Sequence, residues 1–280
     1  MPEPRGLAGE ALAAALRDSR ARTLSLVDDL SDAQWDVPQR DGINPIAWEL
    51  AHLAWFAEFW TLRGPHHVGA DGLVHAALPA RIAAPDAHFD SSRLAHAQRW
   101  HIPLPSRDRL LAMLGAQLQA CLQAMPAGDD DAALYFQRLA LFHEDMHGEA
   151  LVWLRASLAY PVPAGLSLPR QSLGAPLVVP GGLVGIGWPV ERRGFAFDNE
   201  LPGRSLELRS FEIDAQPVTA GQFLRFVEAG LEDLSISRTG FSWGIPFPDG
   251  PGLLGSSTGW SLFLGPRKRL WYWGWPSRQS

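Results

Sequence analysis

Asn44-Pro-Ile-Ala-Trp48-Glu-Leu-Ala-His52-Leu-Ala-Trp55-Phe56-Ala-Glu58-Phe59-Trp60-Thr-Leu-Arg63 is the stretch on which the fold turns. Asn44 can cap the orphan N–H groups of a helix, Pro45 is tolerated in its first turn, and Gly64-Pro65 stops it. The helix is apolar on more than one side, which predicts burial by other elements. Those elements lie on both sides of it in the chain. Residues 7–30 place Leu12, Leu16, Leu24, Val27 and Leu30 at helical spacing, with Arg17, Asp18, Arg20 and Arg22 expected to face water. Ser106 can cap a third helix from Arg107 to Met125, ended by Pro126-Ala-Gly128. Asp129 to Asp131 then supply acidic residues at the start of a fourth, which runs to about Leu158. Four long helices fit an antiparallel bundle. Residues 64–105 carry scattered Pro, His, Gly and Asp, and read as a long irregular segment of the kind that covers sites.

Past Pro161 the pattern changes. Pro161 to Pro180 is punctuated by Pro, Gly and Ser and reads as a linker. Short strands are expected at Leu183, Val184 and Ile186, at Leu206-Glu-Leu208 and at Phe211-Glu-Ile213, followed by a capped helix from Val218-Thr219 through 222–227. The expected fold class is therefore all-α followed by α+β.

Composition narrows the function. Of 280 residues, 46% are apolar and 19% charged, which supports a sizeable core and excludes wholesale disorder. A net charge of −6 argues against a sequence-independent grip on nucleic acid, which needs clustered Lys and Arg. The single cysteine, Cys121, excludes a disulfide framework and reads as a small buried apolar residue. Met1 to Glu10 has no basic-then-apolar leader pattern, and no run of about 18 apolar residues exists, so a soluble cytoplasmic protein without a membrane partner is expected.

The residues with chemical potential sit on the second and fourth helices. In Phe142-His143-Glu-Asp-Met146-His147-Gly-Glu149 the two histidines are i, i+4, so both project from one face, as two ligands to one metal would. Glu149 lies six residues past His143, roughly 240° round the helix, so a role behind the ligands or in packing suits it better than ligation. His52 is the third candidate. A neutral imidazole among Trp48, Glu49, Trp55 and Phe56 needs a hydrogen-bond partner or a metal. A lone buried histidine is ordinarily a satisfied core residue, and Trp48, Trp55 and Phe59 read as core too. His66, His67, His75, His88, His96 and His101 fall in the irregular segment and are expected to be mostly solvated. The glycine-rich run from Gly181 to Gly187 does not open a helix, so it reads as a hairpin and not a dinucleotide loop.

These segments resemble a known family. Asn44 to Phe56 is similar to the first iron-ligand segment of the ergothioneine-synthase-type (EgtB-like) enzymes. His143-x3-His147-x-Glu149 resembles their second, on a DinB-type bundle. Pro180-Gly-Gly182, Phe195-Ala-Phe-Asp-Asn-Glu200 and Phe211 to Gly230 look like the opening of their second domain, which has the formylglycine-generating-enzyme (C-type-lectin-like, sulfatase-modifying-factor) fold. The resemblance implies a DinB-like bundle over 1–160, a linker over 161–179 and the start of the second domain over 180–230. It implies Fe(II) held by His52, His143 and His147, with O2 used to join sulfur or selenium to the imidazole of hercynine. The donor would be a thiol in the ergothioneine branch or a selenosugar in the selenoneine-synthase branch. Met146, with Asp90-Ser-Ser-Arg93 and Arg99-Trp100, looks closer to the selenoneine branch. Spacing alone leaves zinc open, since three-His zinc sites exist. A DinB-like metal-dependent thiol transferase or hydrolase, or an inactive metal-binding remnant, are the competing readings.

The last fifty residues differ from the rest. Residues 231–280 hold five of the twelve Trp and the only lysine, Lys268, with five basic residues against three acidic. They do not resemble the family, and Tyr272 cannot be matched to its catalytic tyrosine, so no catalytic residue is assigned. The expectation is an aberrant tail on a truncated second domain, with activity impaired accordingly.

Overall fold

The computed structural model describes residues 3–81, 85–164, 166, 174–218 and 224–225, with the backbone of three further strands at 253–255, 260–264 and 270–274. Its helices are α1 (Gly9–Ser25), a short α2 (Asp32–Trp35), α3 (Ile46–Leu62), a short α4 (Asp86–Phe89), α5 (Arg107–Gln123) and α6 (Tyr135–Ser157). The four long ones are those expected from the apolar periodicity. Trp48, Leu50, Leu53 and Phe59 of α3 are essentially inaccessible, as a helix apolar on several sides requires. α3 packs chiefly on α5. Ala57, Cys121 and Ala140 meet where α3, α5 and α6 converge, and their small side chains permit the approach. Leu12 and Leu16 of α1 close the other side against Leu134 and Leu141. Each fully buried leucine contributes roughly 1.5–3 kcal/mol.

Two expectations fail within this bundle. Arg20, expected to face water, is buried, because position 20 continues the i, i+4 row of Leu12 and Leu16. Its guanidinium donates to Glu144 Oε1 (2.5 Å) and Oε2 (3.0 Å), to the Leu114 carbonyl (2.5 Å) and to Gln117 Oε1 (2.9 Å), so the charge is both paired and hydrogen-bonded. Asn44 does not cap α3: Pro45 takes the cap position, and the Asn44 amide reaches Glu49 and Arg99 instead. Ser106 does cap α5, accepting from the Arg109 N–H (3.4 Å).

The segment 64–105 is more ordered than its composition predicts. It holds a hairpin of β1 (His66–Val68) and β2 (Val74–Ala76), antiparallel with His67 opposite His75, then α4 and a 3-10 turn at His96–Trp100. Hydrogen bonds tie it over α3. Trp55 Nε1 donates to Asp86 (2.8 Å), Arg63 forks onto both Asp86 oxygens (2.6 and 3.0 Å), and Trp48 Nε1 donates to the His88 carbonyl (2.9 Å).

In the second half, β3 (Leu177–Val179) pairs antiparallel with β6 (Phe211–Ile213), and β4 (Gly182–Ile186) pairs with β5 (Arg204–Leu208). β4, β5 and β6 fall on the expected strands; β3 lies inside the stretch read as linker. The glycine-rich run is a strand whose partner lies beyond a long connection, 187–203. At Gly187 the backbone turns with φ +77°, and a Cβ there would stand 2.6 Å from the Glu200 carbonyl, so this position requires glycine. β7 (Leu253–Gly255), β8 (Trp260–Leu264) and β9 (Leu270–Gly274) form an antiparallel three-stranded sheet. The helix expected over 222–227 and the tail 231–280 otherwise lie outside the described residues.

The chain divides into two compact units, Met1–Leu154 with Gly185–Leu206, and Arg155–Val184 with Glu207–Ser280. Inside the first unit the 187–203 connection is strapped to the bundle. Arg5 forks onto Glu200 (2.7 and 2.9 Å), the Gly194 N–H donates to Asp131 (2.9 Å), and Phe195 stacks on Phe142. Among the described residues no helix is long and apolar enough to cross a membrane.

Candidate metal centre

α3 contributes His52 and α6 contributes His143 and His147, and the three meet. Each offers a ring nitrogen, and these nitrogens all lie within 4.8 Å of one another. His52 Nε2 and His143 Nε2 are 3.3 Å apart. Two nitrogens bound to one ion at about 2.0–2.1 Å stand about 3.0–3.5 Å apart, so this spacing fits a shared metal.

The outer nitrogens define which lone pairs face inward. His52 Nδ1 is 2.6 Å from the Phe89 carbonyl, which only accepts; Nδ1 is therefore protonated and Nε2 carries the lone pair. His147 Nδ1 donates to Glu49 Oε2, leaving its Nε2 as ligand atom. His143 lies flat on Phe56, ring centroids 3.5 Å apart and planes at 3°. Trp48 (4.7 Å, 9°) and Trp55 (5.7 Å, 23°) both stack on His52. The aromatic residues read as core are core, and they also wall the cluster.

Electrostatics keep the rings in the ligating form. Burial, then the neighbouring His147, brings His52 down to about 3. Burial, with the other two histidines, holds His143 well below the usual imidazole value. Both rings are thus neutral near pH 7, as metal binding requires. Burial alone would raise the Glu49 carboxyl, but His147 and the bonds from His147 and Asn44 outweigh it and bring Glu49 down to about 2. An all-imidazole donor set suits iron, zinc, copper or nickel.

The carboxylate that reaches the cluster is Glu49; Glu149 is exposed on α6 and joins no ring. Glu49 stands three residues before His52 on the same helical face, a spacing visible in the sequence. Arg99 and the Phe89 carbonyl carry no local signal, because they arrive from other elements, and Asn44, just before α3, reads from its position as a cap. None of the six other singled-out histidines joins the cluster. His66 and His96 are half-buried, contrary to expectation, and bond the carbonyls of Phe59 (2.8 Å) and Ile43 (2.7 Å).

Comparison with known proteins agrees with this architecture. Residues 15–153 match the DinB superfamily and residues 165–261 match the sulfatase-modifying factor enzyme 1-like domain. Hercynine oxygenase of Mycolicibacterium smegmatis is 30% identical over 237 residues, covering 80% of this chain and 51% of that protein. Hercynine oxygenase of Mycobacterium tuberculosis is 30% identical over 226 residues, covering 79% and 51%. The chain spans about half the length of the curated relatives it matches. With a DinB domain and a sulfatase-modifying-factor domain in this order, and likeness to hercynine oxygenases over most of its length, the chain belongs to the EgtB-like family.

Proposed function

We propose that His52, His143 and His147 hold Fe(II), and that the protein is an oxidoreductase acting on hercynine. In the reaction proposed, an imidazole C–H bond of hercynine gives way to a C–Se or C–S bond, and O2 takes up the electrons released. The convergence of three ring nitrogens from α3 and α6 carries this reading, and the likeness to hercynine oxygenases supports the substrate. Iron, when bound, supplies activation of O2 and a coordination position for the chalcogen donor. The chain's own residues hold and shape that site. Phe89 and Glu49 fix the tautomers of His52 and His147, so both rings present lone pairs without reorganisation. Trp48, Trp55 and Phe56 form dry walls around the rings and limit water. For the donor we infer a selenosugar, on the sequence text around Met146, Arg93 and Arg99; a thiol is the competing donor.

Anaerobic loading with Fe(II), metal analysis and O2 uptake with hercynine plus each donor test the reading. Stoichiometric iron with hercynine-dependent O2 uptake is expected, faster with the selenosugar. Stoichiometric zinc with no O2 uptake would replace it with a metal-dependent transferase of the same bundle.

A further inference from the structure

A polar chain runs outward from the histidine cluster and ends on Arg99, 55 positions in sequence from the Asn44 it contacts. Glu49 is buried and uses its two oxygens differently: Oε2 accepts from His147 Nδ1, and Oε1 accepts from Asn44 Nδ2 (2.6 Å). Asn44 Oδ1 accepts in turn from Arg99 Nη1 (2.7 Å). The direction of this chain is dictated at its outer end. A guanidinium has donors only, so it must face the oxygen of the Asn44 amide. The amide nitrogen is then aimed at Glu49. With the amide reversed, its oxygen would face a carboxylate and its NH2 a guanidinium, and both contacts would repel.

Arg99 itself is held from outside the cluster. Its guanidinium carbon lies 3.9 Å over the Trp48 ring, the same ring that stacks on His52. The 3-10 turn that carries it is pinned at both ends, by His96 Nε2 on the Ile43 carbonyl (2.7 Å) and Trp100 Nε1 on the Val37 carbonyl (2.8 Å). Arg99 and Glu49 form no direct ion pair among the described residues; the amide stands between them.

We propose that Arg99 is a positioning residue of the metal centre, acting through Asn44 and Glu49 to set the ring orientation of His147. This rests on the reading that His52, His143 and His147 ligate a metal.

Titration of the full chain, stripped of metal, with Co(II) tests it, reading affinity by competition with a chromophoric chelator and geometry from the cobalt d–d bands. E49Q is expected to weaken Co(II) roughly 10- to 100-fold, and R99M about 10-fold with altered d–d bands. R99M added to E49Q should cost nothing further, because the relay is already cut. R99K, which keeps a donor cation, should recover part of the loss. N44L cuts the middle link without touching the Arg99–Trp48 contact, and decides the matter if R99M does not fold. Wild-type affinity and spectrum in R99M or N44L would overturn the proposal, as would additive losses in R99M and E49Q. Absence of stoichiometric Co(II) in the wild type, or its retention in H147A, would instead overturn the metal reading itself, and this inference with it.

Discussion

Leu50 in α3 and Leu183 in β4 are the same side chain with opposite fates: one is 0% exposed, the other 76%. The difference lies in what each element can satisfy alone. A helix closes its own backbone hydrogen bonds, so four of them can devote their surfaces to packing. The strands described at 177–213 occur in pairs, and a two-stranded ladder has no second layer of its own to cover its apolar faces. Val178, Leu183, Phe211 and Ile213 are all exposed. The histidine cluster draws only on α3 and α6, so metal binding should belong to the helical unit and be indifferent to the strand faces.

Four substitutions probe that contrast, taken here from the largest effect down. H143A should abolish stoichiometric metal binding, checked by metal analysis after anaerobic loading; full occupancy would remove α6 from the site. R20M should cost about 3–5 kcal/mol in urea unfolding, because it leaves Glu144 charged and buried without its partner. A loss under about 1 kcal/mol would show that the helical core is less closed than Leu50 indicates.

D86N should have a smaller effect, present near neutral pH and vanishing in acid. The hydrogen bonds from Arg63, opposed by burial and aided by Trp55, hold the Asp86 carboxyl below its usual value. A depressed carboxyl contributes stability that is present above its unfolded pKa, about 4, and lost as pH falls below it. Discounted for its partial exposure, the contribution is roughly 0.5–1 kcal/mol. Stability measured from pH 7 to pH 2 should fall less steeply in D86N than in the wild type; parallel curves would remove Asp86 from the acid response. L183S should change stability by less than about 0.5 kcal/mol and leave metal affinity unchanged. A loss of 2 kcal/mol or more would mean that this strand face is covered in solution, and would erase the contrast with Leu50.

Much of the bundle was legible before any coordinates. Helix ends at Gly64-Pro65 and at Ser106 follow from local chemistry, and the i, i+4 pair of His143 and His147 needs only helical spacing. Arg20 was not legible, since a charged residue reads as exposed unless its partner is known, and Glu144 lies 124 positions away. The same holds for Asn44. Its sequence position marks a cap, yet Arg99 and Glu49 offered stronger, charged partners and drew the amide away.

The sequence by itself determined that a buried, Trp-rich helix carries His52, that another carries a histidine pair on one face, and that strands follow. Periodicity and capping are local, so a reader of the chain can see them. Only the tertiary structure decided that His52 meets that pair, that Glu49 and not Glu149 stands behind His147, and that Arg99 closes the line. Those contacts join residues 37 to 98 positions apart, and hydrogen-bond direction and ring stacking exist only once the helices have packed.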